Sequence, residues 1–115
     1  ISAHCFTEIL RNAYREFRVF ADLLGSLPVG GQTGTLKHRF QKWGGDFHPE
    51  RVRGKTGTLW SKKVATGLTG VTRTASGEAV IFSLLENDER NDPGLLRGLR
   101  EWEEKCVEFV QRLQL

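Results

Sequence analysis

The stretch 53–59 brings together residue types that can bind an anionic or carbonyl-bearing ligand. It offers an ammonium group at Lys55, hydroxyl groups at Thr56 and Thr58, and bare backbone at Gly57. In strand geometry Lys55 and Gly57 share one face of the sheet, while the two threonines share the other. A glycine has no Cβ, so a ligand can lie against the backbone N–H groups beside it. The stretch therefore predicts a binding site built on a β-strand.

The run Lys55-Thr56-Gly57-Thr58 resembles the Lys-Thr-Gly element of the penicillin-recognising serine hydrolases, whose other elements are S-x-x-K and S-x-N. The likeness continues through residues 26–29, 34–37, 39–40, 52–59, 68–71 and 79–87. Taken in this order, these segments resemble the C-terminal part of the D-alanyl-D-alanine carboxypeptidase/endopeptidase branch of the low-molecular-mass penicillin-binding proteins.

The resemblance implies roles for four residues. Lys55 and Thr58 are expected to be catalytic, and Lys55, Thr56, Gly57 and Thr58 are expected to bind substrate. Lys55 would place positive charge near the nucleophile and the substrate carboxylate, which the two threonine hydroxyls would also bind. The Thr58 backbone N–H would be one of two oxyanion donors.

The resemblance also implies the partners and the location. The expected ligands are D-Ala-D-Ala stem peptides of peptidoglycan and β-lactams, without a metal, an organic cofactor or nucleic acid. The parent is expected to be an exported bacterial protein of the periplasm or cell envelope. The sequence has no apolar run of the length that a transmembrane helix needs.

The sequence lacks two elements of the family's active site. None of its five serines is followed by lysine three positions later or by asparagine two positions later. The chain also starts at Ile1 and contains no methionine. We therefore expect a C-terminal fragment that lacks the nucleophilic serine, works with the upstream part of the same protein, and is inactive alone.

The surrounding pattern predicts an α/β chain of the α+β type, with antiparallel strands flanked by helices, as in the C-terminal part of a β-lactamase/transpeptidase-like fold. The expected division of 1–115 is a helical part at 1–27, a three-stranded meander at 50–87 and a C-terminal helix at 92–115. The strands are placed at about 51–60, 64–72 and 78–87, with short links between them. The third strand is apolar on both faces, so helices are expected on each side of the sheet.

Helical spacing predicts the remaining elements. A first helix begins at Ser2, a second runs from Phe20 to Leu24 and stops at Gly25, and a short one spans 35–40. The last helix starts at Asp92. Its apolar stripe is expected to cover the sheet and consists of Leu95, Leu99, Trp102, Cys106, Phe109 or Val110, and Leu113. Its outer, solvated face is expected to carry Glu101, Glu103, Glu104 and Glu108. Cys5 and Cys106 are expected to be buried thiols without a bridge.

Charge suggests a second class of function. Residues 37–63 hold eight lysines and arginines against Asp46 and Glu50, a local balance of +6 in a chain of net charge +3. The alternative is a small basic module that binds nucleic acid or another polyanion, with Trp43, Phe47 and Trp60 stacking on bases. A third interpretation is a fragment that dimerises through its final helix. Nucleotide hydrolysis is excluded because Pro49 stands where a P-loop needs its first glycine.

Overall fold

The computed structural model describes residues 2–40, 47–60, 63–90 and 92–114. Helices α1 (Ala3–Arg15) and α2 (Phe17–Ser26) come first. Strands β1 (Arg53–Trp60), β2 (Val64–Arg73) and β3 (Ala79–Asp88) follow, and then the long helix α3 (Pro93–Gln111). Two short 3-10 turns, Gly34–Leu36 and Pro49–Arg51, lie between α2 and β1. The predicted α+β class is confirmed.

The three strands form one antiparallel sheet in the order β1-β2-β3, which is the predicted meander. β1 pairs with β2 without a bulge, from Arg53 opposite Val71 onward. The link between β2 and β3 is a tight turn in which the Gly77 N–H donates to the Thr74 carbonyl oxygen at 2.9 Å. Gly77 has a φ of 89°, which glycine adopts without the steric cost of a Cβ. β1 and β3 are thus the two outer strands.

Strand alternation separates the sheet into two faces. On one face Leu68 and Phe82 join a buried cluster that includes Val107 of α3. The other face carries Lys55 and Leu85, and it lies opposite α1 and α2. Helices therefore pack on both sides of the sheet, as the apolar third strand predicted.

The core lies between α3, the sheet and the segment that leads into β1. Its buried members are Leu36, Phe40, Phe47, Val52, Leu68, Phe82 and Val107, with Leu84 packed against them. Four of these residues come from the segment before β1, so the core holds that segment in place. Burial of a large apolar side chain contributes about 1.5 to 3 kcal/mol.

The N-terminal helices differ in detail from the prediction. Ser2 caps α1 as expected, because the Cys5 N–H donates to its Oγ at 3.2 Å. The predicted stop at Gly25 is wrong: α2 continues to Ser26 and ends where Leu27 becomes extended before Pro28. The residue that precedes a proline favours extended backbone, and this restriction at Leu27 ends the helix.

The short helix predicted at 35–40 is also wrong. Only the 3-10 turn Gly34–Leu36 forms there, and Phe40 has a φ of 66°, in the left-handed region. The Phe40 N–H does not bond to a preceding helical turn but donates to Glu104 Oε1 on α3 at 2.6 Å. A charged acceptor of this kind strengthens the bond and offsets part of the backbone strain.

The largest error concerns the face that α3 turns to the sheet. Glu103 and Glu104, expected in solvent, are buried, whereas Trp102, expected in the core, is 49% exposed. Of the two alternatives Phe109 and Val110, Phe109 is 67% exposed and Val110 is half-buried. The Arg39 guanidinium explains the reversal, because it lies 3.0 Å from Glu103 and 3.4 Å from Glu104. A buried cation needs charged acceptors, and α3 supplies them from the side that faces the core.

A glutamine fixes the last turn of α3 to the sheet. Gln111 Nε2 donates to the His48 carbonyl oxygen at 2.9 Å and to Thr72 Oγ1 at 3.0 Å. Its Oε1 accepts from the His48 N–H at 3.0 Å. The segment before β1 is therefore held by α3 at both Phe40 and His48.

Both cysteines are free thiols. The prediction that they are buried is wrong for Cys5, which is exposed, while Cys106 is half-buried. Burial raises the pKa of the Cys106 thiol, and the nearby Glu86 and Glu103 carboxyl groups add to the rise. The predicted loop residues Trp43 and Asp46, and the link residues Ser61 and Lys62, lie outside the described residues.

Candidate functional site

The outer edge of β1 is the part of the sheet on which the predicted site residues meet. The Gly54 N–H points away from β2 and donates to the Pro28 carbonyl oxygen at 3.1 Å. Every second residue of an antiparallel strand directs its backbone groups to the same side. Because β1 has no bulge, the N–H groups of Thr56 and Thr58 therefore point to this outer edge.

The segment after α2 covers the beginning of this edge and leaves the rest open. Val29 forms a bridge with Arg53, and the Gly30 N–H donates to the Val52 carbonyl oxygen at 2.9 Å. Arg53 is anchored in turn, since its Nη1 donates to the Leu24 carbonyl oxygen at 3.1 Å. From Thr56 onward no strand of the described residues pairs with this side of β1.

Lys55 reaches the edge from the face that lies opposite α1. Its side chain is exposed, and its Nζ donates to the Thr56 carbonyl oxygen at 2.5 Å. That oxygen belongs to an outward-pointing residue, so the ammonium group lies at the edge rather than over the middle of the sheet. Gly57 follows on the same face, and a Cβ placed there would meet nothing within 4 Å.

The two threonine hydroxyl groups lie on the other face of β1. Thr56 Oγ1 donates to Thr35 Oγ1 at 2.8 Å, which ties the 3-10 turn to the strand. Thr58 Oγ1 lies 3.3 Å from Thr66 Oγ1 on β2, and it accepts a hydrogen bond from Arg100 Nη2 on α3 at 3.2 Å.

The predicted residues thus occupy opposite faces, as strand alternation required, and they meet only at the edge. A carboxylate or carbonyl group that lies along the edge can contact Lys55 from one side and Thr58 from the other. Sequence reasoning missed the neighbours Thr35, Thr66 and Arg100. Two of them lie far away in sequence, and no local motif marks them.

A cleft of about 860 Å³ adjoins the Lys55 face. It lies between α1, α2 and the sheet, and its lining includes Phe6, Ile9, Leu23 and Leu85 together with Lys55. Most of the lining is apolar, and Ile9 and Leu85 are exposed. The apolar cleft therefore lies beside Gly57.

A cluster of carboxyl groups lies under the site, between β3 and α3. Burial, and next the neighbouring Glu103 carboxyl group, raise the pKa of Glu86 to about 9. Both Glu86 oxygens are buried and accept no hydrogen bond from the described residues. A protonated Glu86 can donate to Glu103, whose other oxygen is bound by Arg39. Glu86 is therefore neutral at pH 7, which limits the negative charge between the sheet and α3.

The basic cluster at 37–63 is less of a surface patch than its sequence suggested. Arg39 is committed to Glu103 and Glu104, and Arg53 to the end of α2. Lys63 lies 3.5 Å from Glu89. Of the six cations of this cluster that the structure describes, Arg39 and Arg53 are thus used inside the fold, which weakens the basis for a polyanion-binding module.

A comparison with protein families matches residues 1–106 to the D-Ala-D-Ala carboxypeptidase 3 (S13) family. The chain belongs to this family. Membership in the D-Ala-D-Ala carboxypeptidase 3 family confirms the resemblance found in the sequence, and it identifies a serine peptidase family whose substrates are peptidoglycan peptides. Searches of curated proteins and of solved structures found no match.

The matched region of the D-Ala-D-Ala carboxypeptidase 3 family includes all of β1 and extends to Cys106 on α3. It therefore contains the residues on both faces of the outer edge of β1. Within the described ranges, no helix combines the length and apolarity required to cross a membrane.

Proposed function

We propose that this chain supplies the Lys-Thr-Gly wall of the active site of a serine-type D-Ala-D-Ala carboxypeptidase that acts on peptidoglycan stem peptides. The observation that carries the proposal is the convergence at one open strand edge. The Lys55 ammonium group and the outward-pointing backbone N–H groups lie at this edge, and the two threonine hydroxyl groups lie on the adjoining face of the strand. Acyl transfer requires such donors where negative charge develops.

Each group at the edge has a role in this reaction. The Thr58 backbone N–H donates to the oxyanion that forms when the scissile carbonyl is attacked. The Thr58 hydroxyl group donates to the carboxylate of the terminal D-alanine, and the Thr56 hydroxyl group does so when its proton turns from Thr35 to the substrate. Lys55 supplies positive charge beside the nucleophile, and bare backbone at Gly57 lets the substrate lie against the strand.

The nucleophile is proposed to come from a part of the protein outside these 115 residues, because no serine here belongs to an S-x-x-K or S-x-N element. The apolar cleft beside Lys55 and Gly57 supports this, since it offers a surface for a packed segment next to the lysine. On this proposal the 115-residue chain alone has no carboxypeptidase activity. The complete protein binds β-lactams and works in the cell envelope, in the periplasm.

Intact mass spectrometry after incubation with benzylpenicillin tests the proposal. We expect one covalent adduct on the complete gene product and none on the 115-residue chain. Lys55→Ala should slow acylation of the complete product by about 100-fold or more, because a lost electrostatic contact in the transition state costs on this order. Lys63→Ala is the matched control, since Lys63 is exposed and pairs with Glu89.

Two results would contradict the proposal. One is an adduct on the 115-residue chain itself, which would place a nucleophile within it. The other is a Lys55→Ala variant of the complete product that acylates as fast as the Lys63→Ala control.

A further inference from the structure

Thr35 joins the segment before β1 to the side chain of Thr56. It belongs to the 3-10 turn Gly34–Leu36, and its Oγ1 accepts the hydrogen bond that Thr56 Oγ1 donates at 2.8 Å. Thr56 is half-buried on β1, whereas Thr35 is exposed. The two residues lie 21 positions apart in sequence, so their contact depends on how the segment folds against the strand.

The 3-10 turn holds Thr35 in one place. Leu36, the next residue, is fully buried in the core, and its carbonyl oxygen accepts from the Gly31 N–H at 2.9 Å. On the other side Gly34 has a φ of 55°, and a Cβ there would lie 2.9 Å from Pro28 Cγ. The backbone of Thr35 is therefore fixed on both sides, and its side chain is presented to Thr56.

The contacts of Thr58 and Thr56 differ in whether they can reverse. A guanidinium only donates, so the contact with Arg100 leaves the Thr58 proton available to a ligand. A hydroxyl group both donates and accepts, so the bond between Thr56 and Thr35 can run in either direction. Hydrogen bonds that follow one another in the same direction polarise and strengthen each other. The Thr56 hydroxyl group therefore becomes a stronger donor once Thr35 donates to it.

We propose that Thr35 is a positioning residue of the site, which holds the Thr56 hydroxyl group in the free protein and donates to it when substrate binds. The Thr56 proton then turns to the substrate, and Thr35 directs its own proton to Thr56 Oγ1. Both O–H bonds stay intact, and only the two hydroxyl torsions change. This inference rests on the proposed function of the β1 edge, and it adds a residue from outside the Lys-Thr-Gly run.

The rate at which benzylpenicillin acylates the complete gene product tests the assignment. Thr35→Val keeps the branched shape of the side chain and removes its hydroxyl group. It should slow acylation by about 3- to 10-fold, the usual worth of one neutral hydrogen bond. Thr35→Ser keeps a hydroxyl group, so its rate should stay within about 2-fold of the wild-type rate.

A double-mutant cycle separates positioning from a structural role. Because Thr35 acts through Thr56, Thr35→Val should slow acylation by less than about 1.5-fold in a protein that already carries Thr56→Val. The inference is wrong if Thr35→Val leaves the wild-type rate unchanged, if Thr35→Ser is as slow as Thr35→Val, or if Thr35→Val slows both backgrounds equally. If Thr35→Val does not fold, Thr35→Ala takes its place in the same cycle.

The proposed function itself has a separate outcome in this experiment. A wild-type protein that forms no adduct with benzylpenicillin would overturn that function, and this inference with it. A wild-type protein that forms the adduct, with a Thr35→Val variant that forms it equally fast, would overturn the role of Thr35 alone.

Discussion

Gly70 is the position at which one added methyl group should do the most damage to the site. It lies on β2 opposite Gly54, and a Cβ there would be 2.1 Å from the Arg53 carbonyl oxygen and 2.7 Å from the Gly54 Cα. Both are backbone atoms of β1, so no side chain can rotate away. An ordinary contact begins at 3.4 Å, so β1 must retreat by about 1 Å, a sizeable fraction of the roughly 4.8 Å between paired strands.

We therefore expect Gly70→Ala to lower the free energy of unfolding by about 3 kcal/mol, the upper end of the usual cost of overpacking. Because β1 carries Lys55 and Thr58, the variant should also lose acylation by penicillin. Urea unfolding followed by tryptophan fluorescence measures the stability. Gly57→Ala is the control, since a Cβ there meets nothing within 4 Å and the change should stay below about 1 kcal/mol. A Gly70→Ala protein with the stability of the control would refute the reasoning.

Two further predictions concern the carboxyl cluster and the thiols. The pKa of Glu86 rises from 4.5 to about 9 on folding, so the folded protein holds a proton that the unfolded chain releases, and stability should fall as pH increases between these values. Glu86→Gln should flatten this pH dependence of stability. At pH 8 it should stabilise the protein by about 1 to 2 kcal/mol, after allowance for solvent screening of a half-buried group. Chemical unfolding of the wild type and the variant at pH 5 and pH 8 measures the two effects. Cys5 is exposed, whereas Cys106 is half-buried and its thiol pKa is raised. A thiol reagent at pH 8 should therefore modify Cys5 first. Peptide mapping that finds Cys106 modified first would contradict this prediction.

The strands and the helix starts could be predicted because their signals are local. Caps such as Ser2 and Asp92 act within a few positions of themselves, and each behaves as predicted. The predicted short link between β2 and β3 closes as a tight turn at Gly77. The antiparallel order follows from the shortness of the links. The positions of Lys55 and Gly57 on one face follow from the period of the strand.

The orientation of α3 could not be predicted in the same way. Its apolar stripe is regular, yet Trp102 and Phe109 are exposed while Glu103 is buried. The deciding partner, Arg39, lies 64 residues away from Glu103 and belongs to a segment without regular structure. Burial of one arginine outweighs the apolar pattern, because an unpaired buried charge costs several kcal/mol.

The same distinction between local and long-range signals holds for the residues of the candidate site. Its strand residues were visible as a motif, but Arg100 lies 42 residues beyond Thr58 and became visible only through the rotation of α3. The buried Glu103 and the half-buried Arg100, whose guanidinium reaches Thr58, are consequences of one helix orientation. Where charges select the face of a helix, long-range pairing decides which side chains reach a site.

The attachment of Phe40 and His48 to α3 has a consequence for synthesis on the ribosome. Glu104 is translated 64 residues after Phe40 but only 16 residues after β3 ends at Asp88, and these 16 residues take about 1 to 3 s at roughly 5 to 20 residues per second. Strand hairpins form in microseconds, so the sheet can close long before its supports exist. During that interval Arg39 has no carboxylate partner on α3, and the segment that leads into β1 is not yet held by that helix. The nascent chain therefore has a window in which the sheet is complete while the segment leading to the catalytic strand is still available to chaperones.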